Sequence, residues 1–246
     1  MNAKVNYGQQ AYDFDEGILF FISPNQVFSI EPVPETKEKP SGYMLLIHPD
    51  FLWNSPLAHL IKKYDFFDYS VHEALFVSKK EEAIVHGIIA NIQQEYHANI
   101  DKFSQNIILS HIETLLNYSE RFYDRQFITR KITNHNLLTR LEELLNEYFN
   151  TPDLMSAGLP SVQLIADKLH LSPNYLSRLL KSLTGQSTQQ YMHEKLIEKA
   201  KEKLSTTDLS ISEIAYALGF EHPQSFTKLF KSKTNMSPLK FRQSFN

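Results

Sequence analysis

At 246 residues, with 42% hydrophobic and 22% charged positions, the chain is long enough for one large or two ordinary domains of a soluble globular protein. It contains no cysteine, which excludes disulfides, thiolate metal sites and cysteine nucleophiles. The net charge of −3 is unevenly divided: residues 1–155 carry 13 Lys and Arg against 21 Asp and Glu, and residues 156–246 carry 12 against 7, so a −8 part precedes a +5 part. A basic module joined to an acidic one is the footprint expected when one part sits on phosphates. No apolar run reaches membrane-span length and no basic flank leads into an apolar segment at the N-terminus, so a cytoplasmic protein is expected.

Residues 11–14, 17–22, 27–30 and 43–47 alternate in the manner of strands, with turns at Asp15-Glu16-Gly17 and Ser23-Pro24-Asn25 and a loop over 31–40. A small barrel needs about eight strands. The sheet is therefore completed by another chain or belongs to a shortened version of something longer. Residues 56–63 predict a short helix and 65–69 an aromatic connector. Ser78 with Glu81 three residues on forms a capping box for a long helix whose apolar stripe is Ile84, Ile88, Ile92 and Tyr96. A second helix over about 102–122 carries Phe103, Ile107, Ile108, Ile112, Leu115 and Leu116 on a broad apolar face. Such a face packs in the core or pairs with a second copy; Ile108, Ile112, Leu115 and Leu116 are the dimerisation candidates. Residues 121–130 lack clear periodicity and predict a connector. Residues 136–149 are again helical, with Leu137, Leu138, Leu141, Leu144, Leu145 and Tyr148 on one side. The expected domains are 1–125, a connector 126–132, and 133–246.

The last third writes one pattern twice. Ile165-Ala166 with Leu169 precedes Arg178-Leu179-Leu180-Lys181, and Ile214-Ala215 with Leu218 precedes Lys228-Leu229-Phe230-Lys231. In each copy a small residue lets one helix approach a second, which begins at a polar cap and carries cations between apolar residues. Two helix-turn-helix units in tandem make the major groove of double-stranded DNA the leading partner. In the first, Ser161 caps the leading helix, Leu171 is the buried turn residue and Ser172-Pro173 opens the recognition helix. That helix exposes Asn174, Ser177, Arg178 and Lys181; Arg178 suits guanine and Asn174 adenine. In the second, Ser210 with Glu213 is a capping box, Gly219-Phe220 the turn and anchor, and Gln224, Ser225, Thr227, Lys228 and Lys231 the exposed face. Base reading is assigned to Asn174, Ser177, Arg178, Gln224, Ser225, Thr227 and Lys228, and phosphate contact to Ser172, Lys181, Lys231, Ser237 and Lys240. Between the copies, Ser187 and Gln190 box the start of a spacer helix running to about Leu204.

These motifs resemble those of AraC/XylS-type transcription regulators. Ala166 to Leu171, Ser172-Pro173-Asn174-Tyr175-Leu176-Ser177-Arg178, Thr184-Gly185, Ile211-Ser212-Glu213-Ile214-Ala215, Gly219-Phe220, Phe226, Phe230-Lys231, Ser237-Pro238 and Phe241-Arg242 carry the likeness. More weakly, Tyr12-Asp13-Phe14-Asp15-Glu16-Gly17 and Pro24-Asn25-Gln26 resemble the later half of that family's cupin-type sensor domain. The chain departs from the family at Leu196, where an arginine is frequent, and at Asn235, where a glycine is common.

The resulting expectation is a mainly α chain: a partial cupin-like sheet with helices, followed by an all-α tandem helix-turn-helix domain. The function expected is a sequence-specific, homodimeric DNA-binding transcription regulator, an activator, with a small-molecule effector and an RNA polymerase contact implied by the resemblance. A ligand-independent, partner-binding regulator is the alternative. An enzyme is not expected: His48, His59, His72 and His86 do not place two histidines on one strand face, so neither metal nor cofactor is assigned. Ser172 and Ser212 lack a nucleophile elbow, and the methyl-accepting cysteines of an alkylation-repair protein are absent.

Overall fold

The computed structural model describes residues 6–7, 10–11, 17–24, 26, 41–70, 73–129, 131–151, 154 and 158–244, with backbone alone at 6–7, 10–11 and 131–134. The chain divides into two compact units, 1–129 and 130–246. The described part is mainly helical, and no helix among the described residues is long and apolar enough to cross a membrane.

In the first unit, β1 (Asn6–Tyr7) pairs antiparallel with β2 (Gln10–Ala11), and β3 (Gly17–Leu19) with β4 (Leu75–Val77). The register is Gly17↔Val77, Ile18↔Phe76 and Leu19↔Leu75. The partner of β3 thus comes from an apolar triplet not read as a strand, whereas 43–47 forms no ladder and leaves Met44 and Leu46 largely exposed. The strands expected at 12–14 and 27–30, the loop 31–40 and His72 lie outside the described residues.

Helices α1 (Pro49–Leu52) and α2 (Leu57–Leu60) lead through two 3-10 turns to β4. Helix α3 (Lys79–His97) starts at the expected capping box: Ser78 Oγ accepts from Glu81 N–H, and the Glu81 carboxylate accepts from Ser78 N–H at 2.8 Å. Its buried stripe is Val85, Ile88 and Ile92: Ile88 and Ile92 lie where the spacing predicts, whereas Ile84 and Tyr96 are exposed and Val85 is buried instead.

Helix α4 (Ser104–Thr129) runs straight through the expected connector. The reason lies in β4. Buried Gln126 accepts from Phe76 N–H at 2.8 Å and donates to Ala74 O at 3.1 Å, filling the hydrogen bonds that another strand would supply. Arg125 donates to Phe76 O and to both oxygens of Glu81. Phe122, Tyr123 and Phe127 complete the core beside Phe66. Ile112, Leu115 and Leu116 are buried within this unit, so three of the four dimerisation candidates pack inside the chain; Ile108 is half-buried.

The second unit begins with α5 (Lys131–Asn150), followed by α6 (Val162–Leu169), α7 (Pro173–Thr184), α8 (Thr188–Thr206), α9 (Ile211–Ala217), α10 (Pro223–Thr234) and α11 (Pro238–Gln243). One core joins them: Leu141, Leu145 and Phe149 from α5, Ile165 and Ala166, Leu176 and Leu180, the apolar face of α8, and Ile214, Ala215, Phe226 and Phe230. Leu196 is 2% exposed within it, where leucine fits and a charge would cost burial.

Candidate nucleic-acid interface

The two repeats close by the same backbone geometry. After α6 the chain turns at His170, φ +59°, and Leu171 N–H returns to Ala166 O at 2.9 Å. After α9 it turns at Gly219, φ +82°, and Phe220 N–H returns to Ala215 O at 3.0 Å. This is the Schellman closure, and in both units it ends on an apolar residue packing back on the helix. Leu171 is half-buried rather than fully covered; Phe220 is buried. Ala166 and Ala215 are completely buried, as the close approach of the paired helices requires. Gly219 admits no side chain: a Cβ there would stand 3.0 to 3.2 Å from the backbone of Gly158 and Leu154.

The recognition helices start differently. Ser172 Oγ accepts from Tyr175 N–H at 3.3 Å, with Pro173 at the first helical position. The second turn is one residue longer, Ala215 to Pro223 against Ala166 to Pro173, and its cap is His222, which makes no side-chain cap bond. Both helices end in a left-handed residue, Gly185 at φ +77° and Asn235 at φ +58°; asparagine keeps the turn that glycine would make.

Asn174, Ser177 and Arg178 lie half-buried along α7, with Lys181 exposed. The Ser177 hydroxyl is hydrogen-bonded at 3.0 Å to that of Thr188, a buried residue opening α8, so it ties two helices together. On α10, Gln224, Ser225, Lys228 and Lys231 are exposed and Thr227 half-buried. Ser237 caps α11 by accepting from Lys240 N–H, and Lys240 is exposed. Each second helix therefore offers a polar first turn followed by cations, a surface that suits base edges and phosphates.

Helix α8 joins the two repeats. Its capping box forms as expected between Ser187 and Gln190, and Lys195–Glu198 (3.2 Å) and Lys199–Glu202 (2.8 Å) run along it. Nineteen residues at about 1.5 Å per residue give a rod of roughly 28 Å. Two features went unread in the sequence. Tyr191 Oη donates to Glu142 on α5 at 2.7 Å, with Lys195 Nζ at 3.5 Å from the same carboxylate. The Tyr191 bond, aided by Lys195 and opposed by burial, holds the Glu142 carboxyl below its usual range. Burial and then that same bond push the Tyr191 phenol far up. Arg242 of α11 donates from Nε to Leu204 O at 3.2 Å and from Nη2 to Leu209 O at 2.6 Å. Phe241-Arg242 belonged to the sequence resemblance, but neither carbonyl partner has a signature. Among the described residues, no group of three or more His, Cys, Asp or Glu is placed to hold a metal.

Fold and surface together define a tandem helix-turn-helix protein. A helix-turn-helix domain family matches residues 165–244. The chain is 32% identical over 146 residues to the HTH-type transcriptional regulator YfiF of Bacillus subtilis, covering 59% of this chain and 43% of that protein. It is 37% identical over 79 residues to the HTH-type transcriptional activator RhaS of Escherichia coli, 32% of this chain and 28% of the activator. Among solved structures, the C-terminal domain of the two-component response regulator yesN from Fusobacterium nucleatum is 31% identical, with 44% of this chain and 98% of that one aligned at a TM-score of 0.38. Residues 165–244 thus carry a domain of the helix-turn-helix family, and the curated proteins matched over this part are transcriptional regulators. The chain spans less than half the length of the curated relatives it matches.

Proposed function

We propose that the chain is a sequence-specific DNA-binding regulator of transcription that sets α7 and α10 into major-groove segments of one duplex. The observation carrying this reading is the repeated Ala-to-turn closure, at Ala166–Leu171 and Ala215–Phe220, each presenting a second helix with a polar start and cations behind it. Arg178 is the principal base reader, with Asn174, Gln224, Ser225, Thr227 and Lys228 beside it; Lys181, Lys231 and Lys240 hold phosphates. Ser177 acts through Thr188, and Ser172 and Ser237 act mainly as caps.

The test is binding of the full chain to duplexes it enriches from a random-sequence pool, measured by fluorescence anisotropy over a salt series. Affinity is expected to fall steeply with salt, and a flat dependence defeats the DNA reading. Arg178→Ala is expected to cost about 1–3 kcal/mol on the enriched duplex and to relax one base position. A variant that binds enriched and random DNA as the parent does removes Arg178 from that role.

The finer reading is a cytoplasmic homodimeric activator that contacts RNA polymerase and answers to a small-molecule effector at a cupin-like first unit. It rests on the family resemblance. A homodimer through α4 would use Ile108 and the exposed Phe103 and Ile107, because Ile112, Leu115 and Leu116 are already covered. A mass measurement in solution tests it, and a monomer at working concentration rejects it.

A further inference from the structure

Arg242 lies among residues that could serve a phosphate, yet its half-buried guanidinium is turned inward onto two backbone carbonyls. Leu204 O belongs to the last turn of α8, where carbonyls have no partner within the helix and a cation suits the helix dipole. Leu209 O stands one residue before Ser210, the cap of α9. One rigid fork thus holds the end of the spacer helix, the start of the second repeat and α11 together. Nearby, Thr207 N–H and Oγ1 both donate to Lys203 O and close α8 on itself. At the opposite end of α8, the Ser177–Thr188 hydroxyl pair ties the first recognition helix to the same rod.

We propose that Arg242 is a positioning residue that sets the rotation of the second helix-turn-helix unit about the end of α8, and so the base-pair spacing and phase at which α7 and α10 read one duplex. The inference rests on the DNA-binding reading above and adds the source of its spacing selectivity. One inserted base pair moves a half-site by about 3.4 Å and turns it by roughly 35°. A corner held by two charge-assisted hydrogen bonds resists that displacement; a loose corner follows it. Lysine keeps the charge but is a point donor without the planar fork, so it does not replace the guanidinium.

The full-length parent, Arg242→Lys and Arg242→Gln are compared on the duplex enriched by the parent and on versions with one base pair inserted or removed between its two footprinted segments. Circular dichroism melting is followed in parallel. The parent is expected to prefer its own spacing by at least about tenfold. Both variants are expected to keep their helix content while that ratio falls to within about threefold, mostly through lost affinity for the enriched spacing. A ratio unchanged in folded variants overturns the inference and leaves DNA binding intact, as does a parent footprint confined to one groove segment. Loss of the folded domain in both variants makes Arg242 a folding determinant and overturns the positioning role. A parent that binds no duplex defeats the DNA reading, and this inference with it.

Discussion

The two repeats reach the same backbone path by different means. The first relies on local hydrogen bonding: a serine cap on α7, a proline at its first position, and a non-glycine residue, His170, held left-handed in the turn. The second has no side-chain cap on α10 but a chain of aromatic contacts, Phe220 to Phe226 at 5.4 Å, Phe226 to Phe230 at 5.7 Å and Phe230 to Phe241 at 5.4 Å. The closure itself tolerates such exchange; what it requires is a small buried residue five positions before the anchor.

The largest test of this contrast is Phe226→Ala. Phe226 is fully buried, and its removal is expected to lower stability by about 3–5 kcal/mol in urea unfolding, because the tilted rings of Phe220 and Phe230 on either side of it cannot close the cavity. A loss no greater than that of Ser172→Ala would show that the aromatics do not dominate the second repeat. The caps come next: Ser172→Ala is expected to cost about 1 kcal/mol, while His222→Ala changes little and His222→Asp gains a fraction of that amount. Equal losses at the two positions would erase the contrast.

The smallest effect is pH-dependent. Glu142 on α5 is held to α8 by Tyr191, and its folded pKa is below the usual 4.5. Its stabilisation is therefore present above about pH 4.5 and disappears as pH falls through the lower folded value. Tyr191→Phe should reduce stability at neutral pH by less than about 1 kcal/mol, since the Glu142 side chain is 42% exposed and water screens it. The gap between parent and variant should narrow on acidification. A gap independent of pH between 3 and 7 would assign the loss to packing instead.

Local signals were legible and distant ones were not. The caps at Ser78, Ser161, Ser172, Ser187 and Ser210 could be read because the acceptor and its backbone donor lie within three residues. The left-handed Asn235 was legible for the same reason. In the first unit, β3 pairs with a triplet almost sixty residues on, and a glutamine fifty residues beyond that saturates the ladder. No local periodicity carries that information. The broad apolar face of α4 was visible, but its orientation toward the chain's own core depended on where α3 and β4 came to lie. At the candidate interface, the exposed cations followed from helical spacing, whereas the inward turn of Ser177 and Arg242 depended on Thr188, Leu204 and Leu209.

Gly219 carries one more consequence. Its bare Cα is pressed against the backbone of Leu154 and Gly158, in the segment between α5 and α6, and Tyr148 of α5 donates to Gly158 O at 3.2 Å. The turn of the second repeat is thus seated on chain that precedes the first. The repeats are not interchangeable cassettes: a second unit grafted into another scaffold loses its seat, and a fragment trimmed to start at Ser161 would hold both recognition helices yet fail as an autonomous folding unit. Mutational libraries aimed at new operators can vary Gln224 or Lys228 freely, but must leave position 219 as glycine.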